Sequence, residues 1–302
     1  MDCITVVVPC YNEQEVLPVF YKEICRTAEK MAGQARFEFL FIDDGSKDRT
    51  KEILKELRQT DPRVCYLSFS RNFGKEAGIY AGLQHASGDY VAVMDADLQH
   101  PPAFLPQMYE AVVSGEYDCA STRRVSRKGE KPLRSLFARM FYKVNNAFSQ
   151  VKMVEGAQDF RFMSRQMVDA VLELSERNRF TKGIFNWVGF RTKYLEYENV
   201  ERAAGQTKWS FWGLLRYSLE GILAFSAAPL LLAPILGGCF LLAGFVMLIL
   251  HLCSLDVSLL CAALFLVGGA QLLCIGILGA YFSKMYWEVK KRPIYILKEI
   301  QK

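Results

Sequence analysis

The sequence predicts an α/β domain with a mostly parallel sheet, followed by an amphipathic interfacial helix and two C-terminal transmembrane helices. Over the first 120 residues, apolar strand-like runs alternate with stretches of helical periodicity, a pattern typical of parallel strands joined by helices. The C-terminal third contains two uncharged stretches, at 227–250 and 257–283. Each exceeds the roughly 20 residues that a helix needs to cross a bilayer.

The N-terminal part is predicted to alternate strands with helices. The strands are apolar, β-branched or aromatic runs that end at polar or proline positions, and the intervening helices repeat apolar residues every three to four positions. The predicted strands lie at 4–9 (ITVVVP), 37–42 (FEFLFI), 64–68 (VCYLS) and 90–94 (YVAVM), and the predicted helices at 13–31, 48–59 and 75–86.

Polar residues follow each predicted strand. These strand ends are rich in Asp, Asn, Arg and Gly, and they lie at 9–13, 43–46, 70–74 and 95–99. In open parallel sheets, ligands bind beyond the carboxyl ends of the strands. We therefore expect a polar site of nucleotide size at this edge of the sheet.

Two acidic pairs are candidates for ligand binding. The segment 95–99 (DADLQ) places two carboxylates on a turn directly after an apolar strand, and such oxygen ligands suit Mg²⁺ or Mn²⁺ bridging to phosphates. The same residues can instead form a turn without a metal. Asp43 and Asp44, before a predicted helix, have the equivalent alternative of an N-cap. Because both pairs follow strands, a ligand site is favoured.

Composition argues against several classes of protein. A GxGxxG after the first strand and a GxxxxGK[ST] are both absent, which disfavours a dinucleotide oxidoreductase and a P-loop NTPase. Residues 1–216 hold 31 basic and 28 acidic side chains, and this balance predicts no nucleic-acid partner. The nine cysteines include no CxxC pair, which disfavours a zinc site or a disulfide framework.

Several segments resemble the motifs of a known family. Four resemble those of the inverting family 2 glycosyltransferases, whose fold is called GT-A: VVVPCYNE (6–13), FIDDGSKDRT (41–50), SRNFGKE (70–76) and DADLQHPP (95–102). Three more are similar to its polyprenyl-phosphate branch of bactoprenol glucosyltransferases and dolichol-phosphate mannose synthases: QDFRFM (158–163), RFTKGIFNWVG (179–189) and GQTKW (205–209). The QxxRW motif of the processive members is absent, so the resemblance implies transfer of a single sugar.

The resemblance implies roles for individual residues. The expected metal ligands for Mg²⁺ or Mn²⁺ are Asp95, Asp97 and Gln99. The expected catalytic residues are Asp97, Asp159, Arg134 and Arg139. The expected contacts to the nucleotide sugar are Pro9, Tyr11, Asn12, Glu13, Asp43, Asp44, Lys75, Asp95, Arg123 and Lys208. For Asp159, contact with the sugar or the acceptor and a structural pairing with Arg161 are both open.

The implied reaction is the transfer of one hexose, with inversion, from a UDP-sugar to a polyprenyl phosphate. UDP-glucose and undecaprenyl phosphate are the expected substrates. A lipid phosphate is already ionised near neutral pH, so this nucleophile needs no strong base. Two alternatives stay open: transfer from GDP-mannose, as in dolichol-phosphate mannose synthases, and a non-catalytic membrane-anchored protein that binds a sugar nucleotide or assists lipid translocation.

The chain is predicted to divide into a catalytic domain at 1–209, an amphipathic juxtamembrane helix at 210–226, a transmembrane hairpin at 227–283 and a basic cytoplasmic tail at 284–302. Lys and Arg flank the hairpin but are absent from its loop, so both termini and the catalytic domain are expected in the cytoplasm. The juxtamembrane helix can lie in the membrane interface or pack on the catalytic domain, and a buried hairpin is the alternative to two spans. We expect a multi-pass protein of the cell membrane, and a homo-oligomer is compatible with the sequence.

Overall fold

The computed structural model describes residues 1–125, 154–177, 179–197, 239 and 258–302. Within these residues the chain forms an eight-stranded sheet with helices packed on both faces. The elements follow one another in the order β1 (Asp2–Cys10), α1 (Leu17–Lys30), β2 (Ala35–Asp43), α2 (Thr50–Thr60), β3 (Val64–Phe69), α3 (Lys75–His85), β4 (Tyr90–Val93), a 3₁₀ turn (Pro102–Phe104), α4 (Leu105–Val113), β5 (Cys119–Arg124), β6 (Ala157–Ser164), α5 (Arg165–Glu173), α6 (Thr181–Trp187), β7 (Thr192–Tyr197), α7 (Ser258–Val289) and β8 (Leu297–Gln301).

The strand order across the sheet is β7-β5-β6-β4-β1-β2-β3-β8. The four central strands β4, β1, β2 and β3 run parallel, and β7 is parallel to β5. β6 runs antiparallel to β4 and β5, and β8 runs antiparallel to β3. The predicted α/β fold with a mostly parallel sheet is confirmed. The largest shift is at α1, which begins at Leu17 with a proline in its first turn, where proline is tolerated.

Both faces of the central strands are buried because side chains alternate between them. Val6 and Val8 of β1 join the core formed with α1, α2 and α4. Val7, between them, joins the core formed with α3, α5 and α6. A Cβ at Gly82 of α3 would lie 2.1 Å from Cγ1 of Val7. Glycine at this position therefore lets α3 approach β1 closely.

The last residues of the chain return to the sheet. The Glu299 carboxylate on β8 lies 2.7 Å from Nζ of Lys51 on α2 and accepts a hydrogen bond from the hydroxyl of Tyr66 on β3. The residue after β8 is also bonded to α2, because Nη2 of Arg58 donates to the carbonyl of Lys302 at 2.8 Å. Charged and backbone contacts together therefore attach β8 to the edge of the sheet.

The segment 284–302, predicted as a basic cytoplasmic tail, has a different organisation. Its first residues continue α7 to Val289, and Leu297–Gln301 is β8. The edge of β3 would otherwise expose unpaired N–H and C=O groups, and β8 covers them. Such a short strand of mixed polarity (LKEIQ) carries little apolar periodicity. This is why the sequence pattern did not reveal it.

The predicted membrane segments receive no support from the described residues. Where side chains are described, no helix is both long and apolar enough to cross a membrane. The helix predicted at 210–226 and the first span at 227–250 lie outside the described residues, apart from Cys239. The second predicted span, at 257–283, overlaps α7.

Replacing Glu299 by Gln is expected to lower the free energy of unfolding by about 1 kcal/mol near pH 7, because the ion pairs with Lys51 and Lys55 are lost. Hydrogen bonds from Lys51 and Tyr66 lower the pKa of Glu299 from 4.5 to about 2. The stabilisation is therefore complete above pH 4.5 and is lost as the pH falls through 2. Denaturant unfolding of wild type and variant over this pH range measures the difference.

Glu56→Gln is the matched control, because Glu56 lies 3.7 Å from Arg49 and both side chains are exposed. Its effect on the unfolding free energy should stay below about 0.5 kcal/mol. Equal losses in the two variants would contradict the role of Glu299, as would a Glu299 effect that does not shrink in acid.

Candidate active site

The loops that follow the parallel strands are hydrogen-bonded to one another at the carboxyl edge of the sheet. Asn12, after β1, adopts a φ of 54°. Its backbone N–H donates to Oγ of Ser46 at 3.0 Å, and its Oδ1 accepts from the N–H of Lys47 at 2.8 Å. The N–H of Glu13 donates to Oγ1 of Thr50 at 2.8 Å. The loops after β1 and β2 are thereby fixed relative to each other.

Asp43 and Asp44 are buried, with 1% and 4% exposure. Asp43 accepts from the N–H of Ser46 at 2.9 Å and from the hydroxyl of Ser68 at 2.8 Å. Asp44 accepts from the N–H groups of residues 73–74 at 2.6 and 2.9 Å. Burial raises the pKa of Asp44, and these two bonds oppose the rise. Both carboxylates thus shape loops within the protein, neither caps α2, and their contact with a nucleotide stays a prediction.

Lys75, the first residue of α3, bridges carboxylates from two strands. Its Nζ lies 2.8 Å from the carboxylate of Asp95, after β4, and 2.6 Å from Oδ2 of Asp159 on β6. Nζ of Lys182 on α6 lies 3.5 Å from Oδ1 of Asp159. This ion-paired cluster of Lys75, Asp95, Asp159 and Lys182 joins two strands and two helices, and we call it the charged cluster.

The charged cluster shifts the pKa values of Lys75 and Asp159 toward their ionised forms. Burial alone would lower the pKa of Lys75, but Asp159 and Asp95 raise it above its usual range. Burial alone would raise the pKa of Asp159, but Lys182 and Lys75 lower it far below its usual range. Arg161, 1% exposed and with its guanidinium 4.9 Å from the ring of Phe185, adds positive charge near Asp159. Asp159 is therefore a poor proton acceptor at neutral pH.

The turn after β4 is held by the side chain of Asp97. The N–H of Gln99 donates to Oδ1 of Asp97 at 3.1 Å, and Leu98 between them adopts a φ of 56°. His100, which ends the turn, is 6% exposed, and its Nδ1 has no hydrogen-bond partner among the described residues. Burial lowers the pKa of His100, although Asp95 and Asp97 oppose this. His100 is therefore neutral near pH 7.

Asp95 and Asp97 fit a divalent cation that is held partly by a bound ligand. Both side chains are half-buried at the end of β4. Among the described residues, at this turn and elsewhere, no group of three His, Cys, Asp or Glu side chains could hold a metal ion by itself. Mg²⁺ is commonly bound through one or two carboxylates together with substrate phosphates, and Mn²⁺ shares its preference for oxygen. The donor set therefore suits such an ion when a phosphate group is also present.

The other predicted site residues lie in three different settings. Arg123, on β5, lies 3.4 Å from Glu196 on β7, and its Nε donates to the carbonyl of Glu155 at 3.1 Å. Three predicted contacts lie half-buried at the end of β1: Pro9, Tyr11 and Glu13. Three others lie outside the described residues, and their roles stay predictions: Arg134, Arg139 and Lys208.

Sequence reasoning missed Lys182 as a partner of Asp159. Arg161 is the nearby partner that the sequence offers, whereas the described ion pairs of Asp159 are to Lys75 and Lys182. The signal available was the 179–189 segment, which contains Lys182 within a stretch that resembles a family motif. The contact is not evident from the sequence, because Asp159 on β6 and Lys182 on α6 are separated along the chain by α5.

Comparison with known proteins identifies the family. Residues 5–172 match the family described as Glycosyl transferase family 2. The chain belongs to this family. It is 42% identical over 305 residues to the SfII prophage-derived bactoprenol glucosyl transferase of Shigella flexneri, covering 98% of this chain and 97% of that one. It is 42% identical to the bactoprenol glucosyl transferase of Shigella phage SfV, with 98% of each chain covered. It is 41% identical to the prophage bactoprenol glucosyl transferase homolog of Escherichia coli (strain K12), with 99% of each covered.

The recognition of this chain as a family 2 glycosyltransferase from its motifs is confirmed. The family match spans the strand-end loops and Asp159 and ends within α5. Lys182 and β8 lie beyond it. The relatives nevertheless align with the chain to nearly its full length, so the similarity extends well beyond the family match.

In this family 2 glycosyltransferase, Lys75→Met and Asp159→Asn are each expected to destabilise the fold, because each leaves a partner of the charged cluster without its countercharge. Their combined effect on the unfolding free energy should fall short of the sum by about 1–2 kcal/mol. Denaturant unfolding of the two single variants and the double variant measures this coupling. The exposed pair Arg26 and Glu23, 2.7 Å apart, is the control and should couple by about 0.5 kcal/mol or less. Additive effects of the Lys75 and Asp159 changes would contradict the bridging role.

Proposed function

We propose that this chain is a metal-dependent inverting glycosyltransferase that moves one glucosyl group from UDP-glucose to undecaprenyl phosphate at the inner face of the cell membrane. The observation that carries the proposal is the alignment over nearly the whole chain with proteins named as bactoprenol glucosyl transferases. Those names favour glucose over mannose as the sugar. The charged cluster beside Asp97 supplies a site of the matching chemistry.

In the proposed reaction, an ionised phosphate oxygen of the lipid attacks C1 of the glucosyl group. The bond between C1 and the diphosphate oxygen breaks on the opposite side, and its electron pair leaves with UDP, so the configuration at C1 inverts. No proton has to be removed from the nucleophile. The protein's task is therefore alignment of the reactants and stabilisation of the leaving diphosphate.

The charged cluster suits that task. Asp159 remains a carboxylate at neutral pH because Lys182 and Lys75 hold its pKa low, so we assign it to accepting hydrogen bonds from sugar hydroxyls rather than to accepting a proton. Lys75 places a fixed positive charge 2.8 Å from Asp95, next to the proposed diphosphate position. The sugar is thereby oriented between a hydrogen-bond acceptor and a cation.

Asp95 and Asp97 are the proposed ligands of Mg²⁺ or Mn²⁺, with Gln99 as a further proposed ligand. A bound divalent cation would supply positive charge to the diphosphate as it leaves. Arg134 and Arg139 are proposed to bind the acceptor phosphate, because guanidinium groups bind phosphate oxygens in pairs. The proposed contacts to the nucleotide sugar are Pro9, Tyr11, Asn12, Glu13, Asp43, Asp44, Arg123 and Lys208.

We also propose that 227–283 anchors the protein as a two-span hairpin, with the catalytic domain and both termini in the cytoplasm. Large apolar side chains of α7 are exposed, among them Ile275 (63%) and Phe282 (70%). The pairing of β8, which follows α7, with β3 supports a C-terminus on the same side of the proposed membrane as the catalytic domain. This geometry is consistent with an even number of crossings. A homo-oligomer is a further proposal.

The function can be tested by incubating the purified full-length protein with a panel of labelled sugar nucleotides, undecaprenyl phosphate and Mn²⁺. UDP-glucose is expected to label the lipid, and GDP-mannose is not. Labelling from GDP-mannose alone would overturn the choice of sugar, and no labelled lipid from any donor would overturn the enzymatic role.

In the same assay Asp97→Asn should reduce turnover by about 10²–10³-fold. Asp169→Asn, on an exposed pair with Arg165, should not. Full turnover in excess EDTA would remove the metal from the mechanism.

Membrane topology can be tested with a variant whose single thiol is Cys253, in the predicted hairpin loop. An impermeant thiol reagent applied to intact cells is expected to label it, because the loop faces outward in the proposed hairpin. A second single-thiol variant that keeps only Cys3 is the control, and it should react only after the inner face is exposed. The reverse pattern would overturn the proposed orientation.

A further inference from the structure

An arginine-lined pocket lies beside the charged cluster. It has a volume of about 330 Å³, and its lining includes Arg71, Arg177, Arg179 and Glu76. Three guanidinium groups and one carboxylate give this lining a net charge of +2. We call it the arginine pocket, and its charge favours an anionic occupant.

Arg179 provides the strongest indication of a ligand. Its side chain is 8% exposed, and its Nε has no hydrogen-bond partner among the residues that the structure describes. The guanidinium is held in place, because Nη1 donates to the carbonyl of Leu174 and the group lies 4.4 Å from the ring centre of Tyr80. A buried, fixed cation with an unpaired donor is unfavourable unless something accepts from it. An oxyanion in the pocket would supply that acceptor.

The other two arginines are also oriented. Arg71 lies 4.1 Å from the ring centre of Phe73 and donates to the carbonyl of Asn72 at 2.9 Å. Nη1 of Arg177 donates to the carbonyls of residues 292–293 at 2.6 and 2.9 Å. A guanidinium carries five N–H donors in a planar fork, and these contacts engage only part of each fork. Pre-oriented forks of this kind suit the tetrahedral oxygens of a phosphate.

The arginine pocket is separate from the charged cluster although the two share α3. Lys75 extends to Asp95 and Asp159, whereas Glu76 lines the pocket and accepts from the N–H of Thr181 at 2.8 Å and from its hydroxyl. A second groove of about 770 Å³ shares Arg177 with the pocket and extends along the end of α7. A phosphate at the arginine pocket could therefore be reached from the α7 side without crossing the cluster.

We propose that the arginine pocket is a further phosphate-binding site, which takes a phosphate monoester group or free phosphate and is additional to both the diphosphate and the acceptor phosphate of the proposed reaction. The chemistry is shared by a lipid phosphate and by inorganic phosphate. The proposal does not depend on which sugar is transferred.

Calorimetric titration of the full-length protein in detergent tests this site, with inorganic phosphate and farnesyl phosphate as probes. Arg71→Ala should weaken binding at least about tenfold, because a charge-assisted pair is lost from an exposed position whose truncation leaves the core intact. Arg49→Ala is the charge-matched control, because Arg49 is an exposed arginine directly before α2 and is not part of the pocket lining. It should leave binding unchanged. Glu76→Gln should strengthen binding, since it removes the one negative charge of the lining.

The probes distinguish the sources. Displacement of inorganic phosphate by farnesyl phosphate, lost in Arg71→Ala, supports a lipid phosphate, and Arg71-dependent binding of inorganic phosphate alone supports the free anion. The proposal is overturned if neither probe binds, or if Arg71→Ala and Arg49→Ala bind equally. Failure of the proposed function is a separate result: absence of labelled lipid in the transfer assay, with Arg71-dependent phosphate binding retained, would reject the reaction and leave this site standing.

Discussion

The candidate active site depends on one interaction, the ion pairing of the Lys75 ammonium group with two carboxylates. The ammonium group lies within 2.8 Å of Asp95 and 2.6 Å of Asp159, carboxylates that come from antiparallel neighbours in the sheet. Without the shared cation, two negative charges would repel each other at the edge and one would tend to take up a proton. Lys182 adds a second cation from α6. The position of the turn after β4 is therefore coupled to the start of α3 and to α6.

The first turn of α3 serves two sites at once. Lys75 belongs to the charged cluster and Glu76 to the arginine pocket, and Thr181 at the start of α6 is bonded to Glu76. Two proposed sites for phosphate groups, built from adjacent residues, suit a protein whose proposed substrates both carry phosphate.

The return of β8 to the sheet ties the C-terminal part of the chain to the catalytic domain. Glu299 contacts both α2 and β3, so removing everything after the first 216 residues would also uncover the edge of β3. An uncovered edge strand is prone to pair with other chains. The apolar segment and the catalytic domain are consequently not independent parts, although composition alone divides them sharply.

The sequence by itself determined the central strands, the helices between them and the polar loops at their ends, because apolar periodicity and strand-end chemistry are local properties of the chain. Its motifs also identified the family. The tertiary structure alone decided which of those polar residues are hydrogen-bonded or ion-paired to one another. Asp43 and Asp44 proved to be buried and to accept hydrogen bonds from neighbouring loops and strands, while Lys75 and Asp159, 84 positions apart, proved to be partners. Ion pairs, the arginine pocket and the pairing of β8 all join residues distant in the chain, and their contacts are set by how helices pack on the sheet, which no local pattern encodes.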